Sequence, residues 1–89
     1  MYYKKINIIY CSYLVNITKQ KSEQILTKDI NVRTIYAKLS NKYMFPFFMK
    51  DMHVFINNKI VPWDSSVSDG DTVRLISPVL LNDIDFVRE

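Results

Sequence analysis

Two side chains in this sequence have the reactivity for nucleophilic or metal chemistry, and each stands alone. Cys11 is the single cysteine and His53 the single histidine. A thiol needs a base or cation within hydrogen-bond reach to be activated, and a structural zinc site needs four ligands. With no third group to orient a Cys–His pair, the expectation is a small buried hydrophobe at Cys11 and a partly exposed strand residue at His53. The carboxylates are no better arranged for catalysis. Asp69 and Asp71 flank Gly70, the only glycine in the chain, and such a triplet reads as a turn whose glycine holds positive φ. No phosphate loop, nucleophile–base pair or carboxylate dyad in a cleft can be assembled. The expectation is therefore no catalytic residue, no metal ligand and no cofactor.

The elements around these residues emerge from periodicity. Ile6, Ile8 and Tyr10 alternate within Tyr3 to Tyr10, the pattern of a strand, and Ile9 on its other side suits a central position. Cys11 to Thr18 is less regular and predicts a loop or short helical turn, with Leu14 and Val15 closing the end of the core. Glu23 to Thr27 predicts a second strand, antiparallel to the first. Val32, Ile35, Tyr36, Leu39 and Tyr43 recur at helical spacing. Asn31 is placed to cap that helix, and Ile30 and Ile35 fit a hydrophobic staple. Pro46 then stops the helix inside Met44-Phe45-Pro46-Phe47-Phe48-Met49, the most apolar segment. That segment has two readings: a loop folded over the open end of the core, or an exposed aromatic and Met patch that binds a partner through Phe45, Phe47 and Phe48.

The stretch from Met52 to Val79 organises the rest. Val54 and Ile56 alternate with His53 and Phe55; Asn57-Asn58 is a hairpin turn pair; Ile60 and Val61 resume the apolar pattern; Pro62 confines that strand to an edge. After the Asp69-Gly70-Asp71 turn, Thr72 to Ile76 is a β-branched strand with Val73 and Leu75 on one face. The order strand, strand, helix, strand, strand, strand makes an α+β domain.

The bulk numbers set the limits. Eighty-nine residues make one small domain. The net charge of +3 is too small to argue nucleic acid, and no aromatic-and-basic array of the kind that stacks bases is present. Its distribution is uneven: Lys4, Lys5, Lys19, Lys21 and Lys28 come early, while Asp51, Asp64, Asp69, Asp71, Asp83, Asp85 and Glu89 come late. Such asymmetry can steer a protein partner. The apolar runs are far short of a membrane span and no signal-peptide pattern is met, so a cytoplasmic protein is expected.

The residues from Val54 to Asn57, Ile60-Val61, Val67 to Val73 with its Asp-Gly-Asp turn, and Ser77-Pro78-Val79 resemble the C-terminal half of the MoaD/ThiS family of small sulfur carriers. Lys5 to Tyr10 and the helix from Asn31 to Tyr43 match in place and length. The resemblance implies a β-grasp (ubiquitin-like) fold: a mixed sheet of four to five strands over one main helix, first and last strands parallel at its centre, and one sheet face left open to partners. It assigns residues 1–79 to that domain and 80–89 to a tail. A looser similarity, through Asp69-Gly70-Asp71, Ser77-Pro78 and Asp83 to Arg88, is to the RnfH branch of the superfamily.

Members of the MoaD/ThiS family end in Gly-Gly, whose terminal carboxylate is adenylated and converted to a thiocarboxylate. This chain has Leu81-Asn82 at those positions, and no glycine comes after Gly70. An internal amide cannot be adenylated as a carboxylate, so carrier chemistry is not expected. The resemblance then implies a non-catalytic interaction module whose partner is a MoaE-like large subunit or a MoeB-like activating enzyme. Its alternatives are the small subunit of molybdopterin synthase and an RnfH-like protein. The tail is apolar and acidic, and Pro78, Val79, Leu80, Leu81 and Phe86 join the three phenylalanines as candidate partner-binding residues.

Overall fold

The computed structural model describes residues 3–11 and 13–78. Five strands and two helices succeed one another in the order β1 (Lys4–Cys11), α1 (Tyr13–Thr18), β2 (Ser22–Thr27), α2 (Val32–Tyr43), β3 (His53–Ile56), β4 (Lys59–Val61) and β5 (Thr72–Ile76), with a 3₁₀ turn over Met49–Asp51. The sheet order is β2-β1-β5-β3-β4. β1 and β5 run parallel at its centre, and the flanking pairs are antiparallel. This is the mixed five-stranded sheet and single main helix of a β-grasp domain.

One face of the sheet and one face of α2 make the core. Ile6, Ile8, Val54, Val73 and Leu75 are buried against Val32, Ile35, Tyr36 and Leu39, with Leu14 of α1 closing one end. Period-2 alternation in the strands and 3.6-residue spacing in the helix bring these side chains to one interface. β4 is an edge strand of three residues with Pro62 directly after it. A proline is tolerated there because the edge lacks an outer partner for an N–H.

The turns carry the residues their backbone requires. Asn57 and Asn58 adopt φ of 51° and 72°, the left-handed pair of a hairpin turn that matches strand twist. Gly70 has φ +90°, and an added Cβ there meets nothing within 4 Å, so the demand on this glycine is conformational rather than steric. Both flanking carboxylates hold the turn. Asp69 accepts from the Lys5 N–H at 2.6 Å, while the Gly70 N–H donates to the Lys5 carbonyl at 2.8 Å. Asp71 accepts from the Ser68 N–H at 2.7 Å and from the Asn57 side-chain amide at 2.9 Å. The Asp-Gly-Asp turn therefore pins the approach to β5 against the start of β1.

The start of α2 is satisfied differently from expectation. Asn31 caps it, accepting from the Thr34 N–H at 3.0 Å. The next free donors are taken by the loop after β4: Val32 N–H donates to the Ser65 carbonyl and Arg33 N–H to the Trp63 carbonyl. The Ile30–Ile35 staple does not form. Ile30 is 69% exposed, because its carbonyl is tied to the Val67 N–H and the buried apolar residue delivered at this end is Val67.

At the sheet end bearing β2, Glu23 accepts from Tyr10 Oη and, at 2.7 Å, from Tyr43 Oη. Gln20 Nε2 donates to Tyr43 Oη at 3.0 Å. Burial, and then the adjacent Glu23 carboxylate, push the Tyr10 phenol well above the ordinary tyrosine range. The folded state favours the neutral phenol. Its contribution to stability is therefore complete below about pH 10, the ordinary tyrosine value, and is lost as pH rises from there toward the raised folded value. Urea midpoints measured between pH 8 and 12 are expected to fall above pH 10 in the native chain, with a shallower fall in Tyr10→Phe. Identical slopes would remove Tyr10 from the explanation.

Candidate partner-docking site

The strands β1 and β5 are parallel neighbours, so they finish at the same end of the sheet, with Cys11 opposite Ile76. The segments leaving the two strands meet there. The N–H of Tyr13, first residue of α1, donates to Ser77 Oγ at 3.1 Å. The Tyr13 ring packs edge-on against Phe47, centroids 6.0 Å apart. Tyr36 Oη lies 3.3 Å from the Phe47 carbonyl and holds the loop after α2 over this end. Phe47 and Ser77, distant in sequence, are thus both linked to Tyr13 beside the point where the chain leaves β5, with Pro78 next in the chain.

The segment Met44 to Met49 divides between its two readings. Met44 adopts φ 59° and its N–H reaches the Ser40 carbonyl, a left-handed C-cap that turns the chain back under the helix. Phe45 is thereby delivered to the core at 8% exposure. Its ring stacks on Tyr36 and on Tyr43, each at 5.7 Å. The expectation that Phe45 faces a partner is corrected: it is a core residue. Phe47 is half-buried, while Phe48 is 71% exposed. Pro78 is half-buried. Val79, Leu80, Leu81 and Phe86 lie outside the described residues.

A second part of the surface comes from strand register. On the sheet face away from α2, Ile9, Arg74, Phe55 and Ile60 stand in one row across four strands, and Cys11, Ile76 and His53 in the next. Ile60 is exposed; Ile9, Phe55 and Ile76 are half-buried. The row nearest the chain exit also shows why Cys11 and His53 make no pair. Ile76 stands between them, placing them two strand spacings, about 10 Å, apart. Nucleophile and base must be near 3 Å. Among the described residues no three His, Cys, Asp or Glu side chains gather as a metal site, and no helix is long and apolar enough to cross a membrane. The described surface presents apolar side chains beside hydrogen-bonding groups, the make-up of many protein-recognition surfaces.

A family model described as the ThiS family matches residues 8–80. The chain belongs to the ThiS family. No curated protein sequence matches it. Solved structures of the same fold include the HVO 2177 protein of Haloferax volcanii, 18% identical, with a TM-score of 0.75 over 86% of this chain and 85% of that one. Small archaeal modifier protein 1 of the same organism is 14% identical, with a TM-score of 0.71 over 85% of this chain and 99% of the other. A protein–protein complex of subunits 1 and 2 of molybdopterin-converting factor from Helicobacter pylori contains a chain 17% identical to this one, with a TM-score of 0.62 over 84% and 95% of the two chains. At these identities the likeness shows the fold.

Tyr13 is the residue at this end of the sheet that sequence reasoning missed. The signal was present: a parallel first-and-last strand pair places the residues after the first strand beside the residues after the last. Tyr13 comes just after β1, as Ser77 comes just after β5.

Proposed function

We propose that this ThiS-family chain is a β-grasp docking module, which binds a protein partner at the exit end of its sheet and does not carry sulfur. The observation that supports it most is the meeting of Tyr13 with Phe47 and with Ser77 at that end, with Phe48 exposed on the loop after α2. Aromatic anchors beside a rigid sheet are the common make-up of binding hot spots. The partner proposed is a MoaE-like large subunit or a MoeB-like activating enzyme, met in the cytoplasm. The Helicobacter pylori relative, solved as a complex of two subunits, supports a protein partner of this kind.

The carrier role is set aside on chemistry. Adenylation needs a main-chain carboxylate on a thin arm, and glycine suits the arm because it lacks Cβ. Leu81-Asn82 stands where that arm would end, and the sequence continues through Asp83. The second reading, a small subunit of molybdopterin synthase, is favoured by the same two-subunit relative and requires sulfur transfer.

Calorimetric titration against both candidate partners tests the docking claim. Tyr13→Ala and Phe48→Ala are each expected to weaken binding by roughly tenfold or more, equivalent to about 1.4 kcal/mol. Affinities unchanged by both substitutions would overturn the assignment of this surface.

A further inference from the structure

β2 is one edge of the sheet. The Tyr10 N–H donates to the Lys21 carbonyl at 2.8 Å, which makes Tyr10 and Lys21 a hydrogen-bonded pair. Because such pairs alternate along an antiparallel ladder, the N–H and C=O groups of Ser22, Gln24 and Leu26 point away from β1. Among the described residues nothing pairs with them. A row of open main-chain groups is a template for another strand.

A groove of about 370 Å³ lies beside this edge, between β2 and α2. Ile25, Ile35 and Leu39 give it an apolar lining, and Lys28, Lys38 and Lys42 bring three positive charges. α2 runs back along β2: Lys38 pairs with Asp29 at 3.1 Å just past the end of β2, while Tyr43 reaches Glu23 at 2.7 Å near its start. Lys28 and Lys38 thus stand toward one end of the groove and Lys42 toward the other. The acids nearby are already engaged. Asp29 holds Lys38 and accepts from Thr27 Oγ1 at 2.7 Å, and Glu23 accepts from Tyr10 and Tyr43. Among the described residues Lys28 and Lys42 have no acidic partner.

We propose that this edge binds an acidic, extended segment of another protein, which adds to β2 as a sixth strand. Its main chain pairs with Ser22, Gln24 and Leu26. Alternate side chains of the added strand face α2, level with Glu23, Ile25 and Thr27. The one level with Ile25 is apolar and enters the groove. Those two residues to either side share its face and are carboxylates, one near Lys28 and Lys38 and the other near Lys42. Charge complementarity selects this occupant. A second copy paired edge to edge would set the same lysines against one another. The groove lies where β1 begins, with Lys4 opposite Thr27, roughly 20 Å along the strand from Cys11 and the docking surface. Either site can therefore be wrong without the other.

The test is NMR on the isotope-labelled full chain, with the peptide Ac-Thr-Glu-Thr-Val-Thr-Glu-Thr-amide as the probe. Without peptide, the Gln24 and Leu26 amides are expected to exchange as fast as exposed amides, at two protein concentrations tenfold apart. Saturating peptide is expected to slow both at least tenfold and to shift the Leu39 and Lys42 resonances. Changing both glutamates of the peptide to lysine is expected to weaken binding at least tenfold. Changing the two threonines beside its valine to proline is expected to do the same, because proline removes the N–H groups that face β2. Lys28→Glu/Lys42→Glu is expected to reverse the preference between the glutamate and lysine peptides. Both substituted residues are exposed, and slow exchange at Ile8 and Leu75 reports an intact core. No slowing of Gln24 and Leu26 with the glutamate peptide would overturn the proposal, as would equal affinity for the lysine or the proline peptide. Slow exchange without peptide would overturn it too. Unaffected by concentration, it would give the edge to the chain itself; growing with concentration, it would give the edge to a second copy.

Discussion

Replacing Phe45 with alanine is expected to lower the unfolding free energy by about 3–5 kcal/mol, the range for truncating a buried aromatic. Phe45 is held between the rings of Tyr36 and Tyr43, with Tyr10 edge-on at 6.4 Å. Deleting the ring leaves a cavity walled by three other large side chains that cannot easily collapse into it, and removes aromatic contacts worth more than their area alone. Phe48, three residues on and exposed, makes no such contact. Phe48→Ala is expected to stay within about 0.5 kcal/mol of the native chain. Urea denaturation of the two variants separates a core residue from a surface residue inside one apolar run. A Phe45→Ala midpoint equal to the native one would return Phe45 to the surface.

Leu39→Ala is expected to come close behind, at about 2–5 kcal/mol. Leu39 sits in the core between α2 and the sheet, where it also walls the groove beside β2. Among the described residues one main helix covers the sheet, and stabilities of small domains lie toward the lower end of about 5–15 kcal/mol. A loss of this size therefore approaches global unfolding near physiological temperature. An unchanged thermal midpoint would contradict the packing of α2 on this face.

The parts of the fold that were legible in the sequence are those with strong local signals. Alternation in β1, β3 and β5, the helical spacing of Val32 to Leu39, the two asparagines of the β3–β4 turn and the lone glycine between aspartates each had one sterically favoured solution. Their observed geometry agrees. The misreadings arose where tertiary contacts decide. Ile30 fitted a staple by spacing, but a hydrogen bond from Val67 turned it outward. Phe45 and Phe48 are the same residue type in the same run. Only the left-handed turn at Met44, an unusual conformation for a residue with a side chain, tells which of them is buried. Tyr13 was missed because its role depends on the parallel pairing of strands from opposite ends of the chain, which no local pattern encodes.

The proposed module docks as a carrier would, without being charged as one. A chain rebuilt after Val79 with Thr-Gly-Gly serves as the positive control, since it restores the arm while keeping the docking surface. The decisive measurement gives the unmodified chain a MoeB-like activating enzyme, ATP and a sulfur donor. It then tracks exchange of labelled pyrophosphate into ATP and the intact mass of the protein. The expected result is no exchange above the enzyme alone and an unchanged mass, while the rebuilt chain is adenylated. A thiocarboxylate on the unmodified chain would contradict the account.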